Sequence, residues 1–285
     1  MTGTRAAFGQ ALYRGMDRAS LDAAYNNRAA VAAFGMLAER RRKLSEQVRR
    51  ARSFHSDLRY GDLPRQRMDF FPAAAPGAPV FVFVHGGYWQ STEKEQSSYL
   101  VEGPLERGFC VALVEYTLAP EAAIDDMVEE IGLALDWLYV HAEGLGGDRT
   151  RLYVGGHSAG AHLAVMMLEH ACVAGVLAIS GLFDLEPIRL CYLNEKLRLS
   201  EASARRNSPV LRIPPKAPPL AVSVGTGELP ELVRQSAQYA EAARQAGLGA
   251  RYLPLEGHDH FTILDELAQP HGALCEALCQ IGREA

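Results

Sequence analysis

Four short stretches of this chain carry residue types at spacings that chemistry can use. The first is Gly156-His157-Ser158-Ala159-Gly160, a Gly-x-Ser-x-Gly pentapeptide. The strand-forming run RLYVG (151–155) leads into it, and a smooth helical pattern (159–171) leads out. A serine at the apex of so tight a turn is pushed out of the sheet, and flanking glycines let neighbouring backbone come close. The free N–H groups and positive dipole end of the following helix then face whatever the serine attacks. Such a turn suits a nucleophilic hydroxyl. Alone, it would equally serve as a close-packed strand-to-helix connection.

The second stretch, His85-Gly86-Gly87-Tyr88-Trp89, follows the apolar run VFVFV. Two glycines after a buried strand leave backbone N–H groups open to a cavity. Acyl transfer needs such donors about 2.7–3.1 Å from the developing oxyanion. Gly87 and Ala159 are the expected donors, with Gly86 or Tyr88 as a third. A glycine turn with a structural His85 is the bland alternative; its presence ahead of the serine turn argues against it. Tyr88 and Trp89 offer an aromatic wall for a flat substrate group, or core packing.

A serine hydroxyl is a weak nucleophile until a base takes its proton. Enzymes built on such a turn place the acid next in the chain and the histidine last. Gly257-His258-Asp259-His260-Phe261 follows the final strand pattern and holds two histidines. His260 is favoured, because His-Phe at the start of the terminal helix sets the ring at the strand's carboxyl edge; His258 is the alternative. The His-Asp-His run lacks a nearby Cys or further His in sequence, so no metal is expected there. The acid should follow LAVSVGT (220–226). Glu228 sits where the chain leaves the sheet, Glu231 falls in the first helical turn, and Asp184 follows the preceding strand. Glu228 is the best placed to orient the histidine; Glu231 suits the helix dipole and Asp184 a helix cap.

These residues need a frame. Strand patterns at 57–61, 67–71, 80–86, 110–116, 151–155, 175–181, 220–226 and 250–257 alternate, from the third onward, with helical patterns at 124–142, 159–171, 230–247 and 261–282, the last breaking near Pro270. Near-continuous apolar strands imply a sheet covered on both faces. The alternation implies a doubly wound, mostly parallel α/β sheet in one domain over 1–285, flanked by helices, with ligands at the carboxyl ends of the strands. Two segments stand outside this rhythm. Residues 1–55 contain one helical stretch (20–53), a cap or a dimer contact, and 184–215 is a lid excursion.

Composition narrows the partners. The net charge of −5 leaves no basic field for nucleic acid or anionic lipid. The cluster Arg40-Arg41-Arg42-Lys43 with Arg49-Arg50 lies among Glu39 and Glu46 on a helical pattern and reads as a solvated face. Five cysteines with no paired spacing suit reduced, buried thiols. With no apolar h-region at the start and no run near the ~18 apolar residues of a span, a cytoplasmic enzyme is expected.

HGGYWQS (85–91), GHSAGAHLA (156–164) and His260-Phe261 resemble the α/β-hydrolases of the kynurenine formamidase (arylformamidase) type, relatives of the hormone-sensitive-lipase-like esterases. The resemblance covers residues 55–284, and HGGYW is its more specific motif. ELPELVRQSAQY (228–239) resembles that family's acid region, with Glu228 where the family has Asp; LDAAYNNRAAV (21–31) is a looser likeness. The resemblance implies the α/β-hydrolase fold, a Ser158-Glu228-His260 triad, and neither metal nor organic cofactor. It implies a small ester or amide substrate, N-formylkynurenine first, with a short-chain carboxylesterase as the alternative and a non-catalytic binding scaffold behind both.

Overall fold

Side chains on the central strands alternate between two cores, which fixes the layering before any helix is placed. Val80, Val82 and Val84 belong to one buried cluster, while Phe81 and Phe83 belong to the other. The computed structural model describes residues 11–284, so the expected 1–55 segment is described from residue 11 onward. The strands are β1 (His55–Arg59), β2 (Arg67–Phe71), β3 (Ala78–Val84), β4 (Cys110–Val114), β5 (Gly147–His157), β6 (Val173–Ile179), β7 (Leu220–Gly225) and β8 (Ala250–Leu255). They form one sheet in the order β1-β2-β4-β3-β5-β6-β7-β8. The β1–β2 and β2–β4 pairs are antiparallel and the rest parallel. This is the α/β-hydrolase fold expected, with its order reversing at β3. The carboxyl ends of β3 and β5 therefore lie side by side, where such sheets bind ligands.

The helices are α1 (Arg18–Ala24), α2 (Asn27–Ala30), α3 (Phe34–Ala51), α4 (Glu102–Glu106), α5 (Ile124–His141), α6 (Ala159–Met166), α7 (Glu186–Leu190), α8 (Asn194–Leu197), α9 (Glu201–Arg206), α10 (Pro230–Gln245), α11 (Asp265–Ala268) and α12 (Ala273–Glu284). Buried side chains of α5, α6 and α10 join the valine side of β3, and those of α3 and α12 join its phenylalanine side. The terminal helix breaks around Pro270 as expected, giving α11 and α12.

The 20–53 stretch is not one helix. Asn26 ends the first run and caps the next, accepting from Ala29 N–H at 3.2 Å, and Val31 is extended (φ −113°, ψ 101°). The basic cluster also departs from a purely solvated face. Arg42, Lys43 and Arg50 pair outward with Glu39 and Glu46. Arg49 instead reaches the fully buried Asp69 at 2.5 Å, and Arg40 and Arg41 hold Asp265. The 184–215 excursion folds into short helices whose Leu185, Ile188, Leu197 and Ala204 enter the α5–α6 core.

Candidate active site

Ser158 stands between β5 and α6 with φ 58° and ψ −118°. Such a left-handed backbone at a serine costs about 1–3 kcal/mol and persists only where neighbours enforce it. Its N–H donates to Ile179 O of β6 at 2.8 Å, and its own carbonyl accepts from His162 N–H at 3.2 Å. The glycines supply clearance. A Cβ on Gly156 would lie 2.4 Å from the Gly160 backbone, and one on Gly160 only 2.0 Å from Val84 O. The helix can start against the end of β3 only because neither Cβ exists.

Val84 and Gly156 are register partners, so the His85-Gly86-Gly87 loop lies beside the serine turn. A Cβ on Gly86 would fall 2.7 Å from His157 O and 3.2 Å from Ser158 Cβ. Gly87 takes φ 101°, a conformation open to glycine. The N–H groups of Gly87 and Ala159 have no backbone acceptor among the described residues.

A buried carboxylate holds this loop from behind. Glu115 accepts from His85 Nε2 at 2.8 Å, from Arg65 at 2.6 Å, and from the Lys94 and Tyr116 N–H groups at 3.0 Å each. Burial opposes its charge, yet the pairing with His85 and the Arg65 guanidinium outweigh that and hold its carboxyl down at about 2. Thr92 Oγ1 lies 2.8 Å from His85 Nδ1 and donates to Gly86 O at 2.7 Å.

His260 follows β8 and presents Nδ1 to Glu228 Oε2 at 2.6 Å, with both side chains buried. The other Glu228 oxygen accepts from Gly225 N–H at 2.8 Å and from the Ser180 hydroxyl. With Nδ1–H committed to the carboxylate, Nε2 is the nitrogen able to accept a proton. A second imidazole braces the first. His157 Nε2 donates to His260 O at 2.7 Å, and the rings stand 4.5 Å apart. Burial, then the neighbouring His260, push the His157 pKa well below the usual imidazole range, so His157 is a neutral donor.

The competing residues are occupied elsewhere. Asp184 accepts from Tyr13 OH at 2.7 Å and caps Glu186 N–H at 3.0 Å. Glu231 pairs with Arg234 at 2.7 Å and accepts from Tyr25 OH at 3.1 Å. His258 lies 3.4 Å from Glu266. Trp89 takes the core position rather than the aromatic wall. It is 0% exposed, with its ring edge-on to His162 at 5.1 Å. Tyr88 is half-buried, donating to Tyr25 O at 2.7 Å and accepting from Asn27 Nδ2 at 2.9 Å.

Those contacts lay the N-terminal segment over the loop. Phe34 packs on Phe261 at 4.8 Å between ring centroids, and the Arg41 guanidinium donates to Phe261 O. Ser158 is 3% exposed and His260 4%. Four residues here had no place in the sequence reading: His157, Ser180, Glu115 and Thr92. Glu115 left one signal, an acid closing the apolar strand CVALV, and Ser180 another, a serine at the end of GVLAI.

A family model described as BD-FAE matches residues 68–177. The chain is 31% identical over 255 residues to a kynurenine formamidase of Danio rerio, covering 83% of this chain and 85% of that protein. It is 30% identical to the kynurenine formamidase of Salmo salar, covering 84% and 86%. Among solved structures it is similar to a putative thioesterase from Silicibacter sp. TM1040, with a TM-score of 0.83, 30% identity, and 91% and 98% of the two chains covered.

Proposed function

We propose that this chain, which belongs to the kynurenine formamidase family, hydrolyses an aryl formamide, N-formylkynurenine first among them, through an acyl-enzyme on Ser158. The protein is a serine hydrolase with the α/β-hydrolase fold. The observation that carries the residue assignment is the buried Glu228–His260 pair at the sheet edge that also bears the Ser158 turn.

In this reading Ser158 Oγ attacks the formyl carbon while His260 Nε2 takes its proton and Glu228 holds the imidazolium that results. The N–H groups of Gly87 and Ala159, with Gly86 beside them, receive the negative oxygen of the tetrahedral intermediate. His260 then protonates the departing arylamine nitrogen. Water, deprotonated by the same imidazole, cleaves the formyl ester and releases formate and free Ser158. The crowding supports a one-carbon acyl group. Ser158 is 3% exposed, so little open space surrounds the nucleophile. Tyr88 is the proposed substrate contact, and the 11–55 segment the cap through which the aryl group enters.

Among the described residues no helix is long and apolar enough to cross a membrane. We place the enzyme in the cytoplasm, in keeping with five cysteines that all stand free. The test compares kcat/KM for N-formylkynurenine with p-nitrophenyl acetate and butyrate, in wild type and Ser158→Ala. Preference for the formamide, with at least about a 10³-fold loss of kcat in Ser158→Ala, supports the reading. Preference for the butyrate ester makes the protein a short-chain carboxylesterase, and near-normal turnover without Ser158 removes the nucleophile.

A further inference from the structure

At the opposite end of the strands from Ser158, three side chains of mixed chemistry meet. His170 and Cys172 lie in the turn between α6 and β6, and Asp136 lies on α5, which packs against α6. Cys172 Sγ is 3.1 Å from His170 Nδ1, and His170 Nε2 is 3.5 Å from Asp136 Oδ1. One ligand atom from each residue falls within 4.8 Å of the others. The proposed mechanism uses none of them, and Cys172 has no disulfide partner.

We propose that Asp136, His170 and Cys172 form a binding site for a divalent cation of the zinc class. A thiolate, an imidazole and a carboxylate are a borderline-soft donor set, suited to Zn²⁺ or Co²⁺ and poorly suited to Mg²⁺ or Ca²⁺, which want oxygen alone. With metal–ligand bonds of about 2.0–2.3 Å, the ligand atoms of a tetrahedral site stand about 3.3–3.8 Å apart. The sulfur and imidazole already come within that reach. The widest separation in the set, at most 4.8 Å, has to close by about 1 Å, an easy adjustment when the Asp136 side chain is 69% exposed. An imidazole offers an ion one nitrogen only, so the ring must turn from bridging its neighbours to joining them. Gly132, one turn before Asp136, leaves space on that side: a Cβ built there would still lie 3.8 Å from His170 Nε2.

Binding displaces the Cys172 thiol proton to solvent and leaves the fourth position to water. The ion's +2 charge is met by one thiolate and one carboxylate. It would clip the α6–β6 turn to α5 on the far side from the triad. Stability should therefore respond to the metal and turnover should not.

The experiment is a Co²⁺ titration of the full chain after chelator treatment, read by absorption. One equivalent should give a near-ultraviolet thiolate-to-cobalt band together with visible bands of tetrahedral intensity. Cys172→Ser should abolish the near-ultraviolet band, and Asp136→Asn, at an exposed position, should weaken binding at least about tenfold. Cys279→Ser should change neither. Turnover and circular dichroism, unchanged in all three variants, certify folding. No band at millimolar Co²⁺, or a band that survives in Cys172→Ser or vanishes in Cys279→Ser, overturns the proposal. None of these results depends on which substrate the triad hydrolyses.

Discussion

Replacing Glu228 by glutamine is the sharpest test of the proposed acid. The substitution keeps the volume and removes the charge, so its effect can be worked out bond by bond. In the native chain Oε2 faces His260 Nδ1 at 2.6 Å, while Oε1 accepts from Gly225 N–H at 2.8 Å and from Ser180. In the Glu228→Gln variant one of these oxygens becomes an NH₂. If it faces His260, two donors oppose each other and the ring moves its proton to Nε2, the nitrogen that must be bare to activate Ser158. If the amide flips, the clash moves to Gly225 N–H, where an unsatisfied buried donor costs about 1–3 kcal/mol. The first arrangement therefore wins, and the enzyme holds its base in the wrong tautomer. The comparable acid-to-amide change in a Ser-His-Asp triad costs about 10⁴ in kcat, or about 5.4 kcal/mol of transition-state stabilisation. Steady-state kcat and kcat/KM for Glu228→Gln, with Asp184→Asn as control and melting curves for both, make the assay. Glu228→Gln retaining more than about a tenth of wild-type kcat, or Asp184→Asn losing as much, refutes the reasoning.

Gly86→Ala places a methyl 2.7 Å from His157 O and 3.2 Å from Ser158 Cβ. It should lower kcat by about 10²–10³, the worth of one oxyanion donor, with KM little changed; wild-type kcat would place the loop's clearance outside catalysis. His157→Phe removes the donor to His260 O and should cut kcat several-fold, while His157→Gln, which can still donate, recovers part of it; equal losses would mean the ring's shape matters and its hydrogen bond does not. Stability should fall between pH 6.5 and pH 5. Burial lowers His157 well below 6.5 and His162 to about 4, so the unfolded chain gains protons there that the folded one refuses. Above 6.5 neither imidazole adds a penalty. At pH 5 His162 costs about 2 kcal/mol, His157 adds a penalty of the same sign, and Glu115 adds its loss only as pH drops from 4.5 toward 2. Urea midpoints at pH 7.5 and 5.0 check this, and equal midpoints would contradict it.

What the sequence made legible follows from how each feature is encoded. Gly156, Gly160, Gly86 and Gly87 are visible signals, because the absence of a side chain shows in the letters themselves, even though Gly160 and Gly86 make room for backbone of each other's turn, Val84 O and His157 O, more than 70 residues away. The alternation of strands and helices followed from apolar runs. The braces were not legible. Ser180 reaches Glu228 across 48 residues and His157 reaches His260 across 103; a serine or histidine carries no mark of a partner that distant. Arg49 read as surface because its neighbours Glu46 and Arg50 are, while the charge it meets, Asp69, sits on an antiparallel strand with no helical period to announce it. Trp89 followed the glycines so closely that it read as wall or core alike. Only the turn geometry, with positive φ at both Tyr88 and Trp89, sends the indole inward.

A comparable turn accounts for a glutamate where the resemblance leads one to expect an aspartate. Glu228, the proposed acid, leaves the sheet just past β7, and its carboxylate is gripped by Gly225 N–H on the preceding strand and by Ser180 at the end of β6. Ser180 holds φ 53° and donates its backbone N–H to Ser223 O at 2.8 Å, so it is strained and pinned in place. A strained residue whose hydroxyl ends on one carboxylate oxygen, while the other oxygen ends on the base, is a socket cut to one length of side chain. An aspartate from the same backbone would stop one methylene short, about 1.5 Å. It would have to abandon either Ser180 or His260. In the proposed triad, Glu228 therefore spans from Ser180 to the His260 imidazole, a reach that an aspartate on the same backbone would lack.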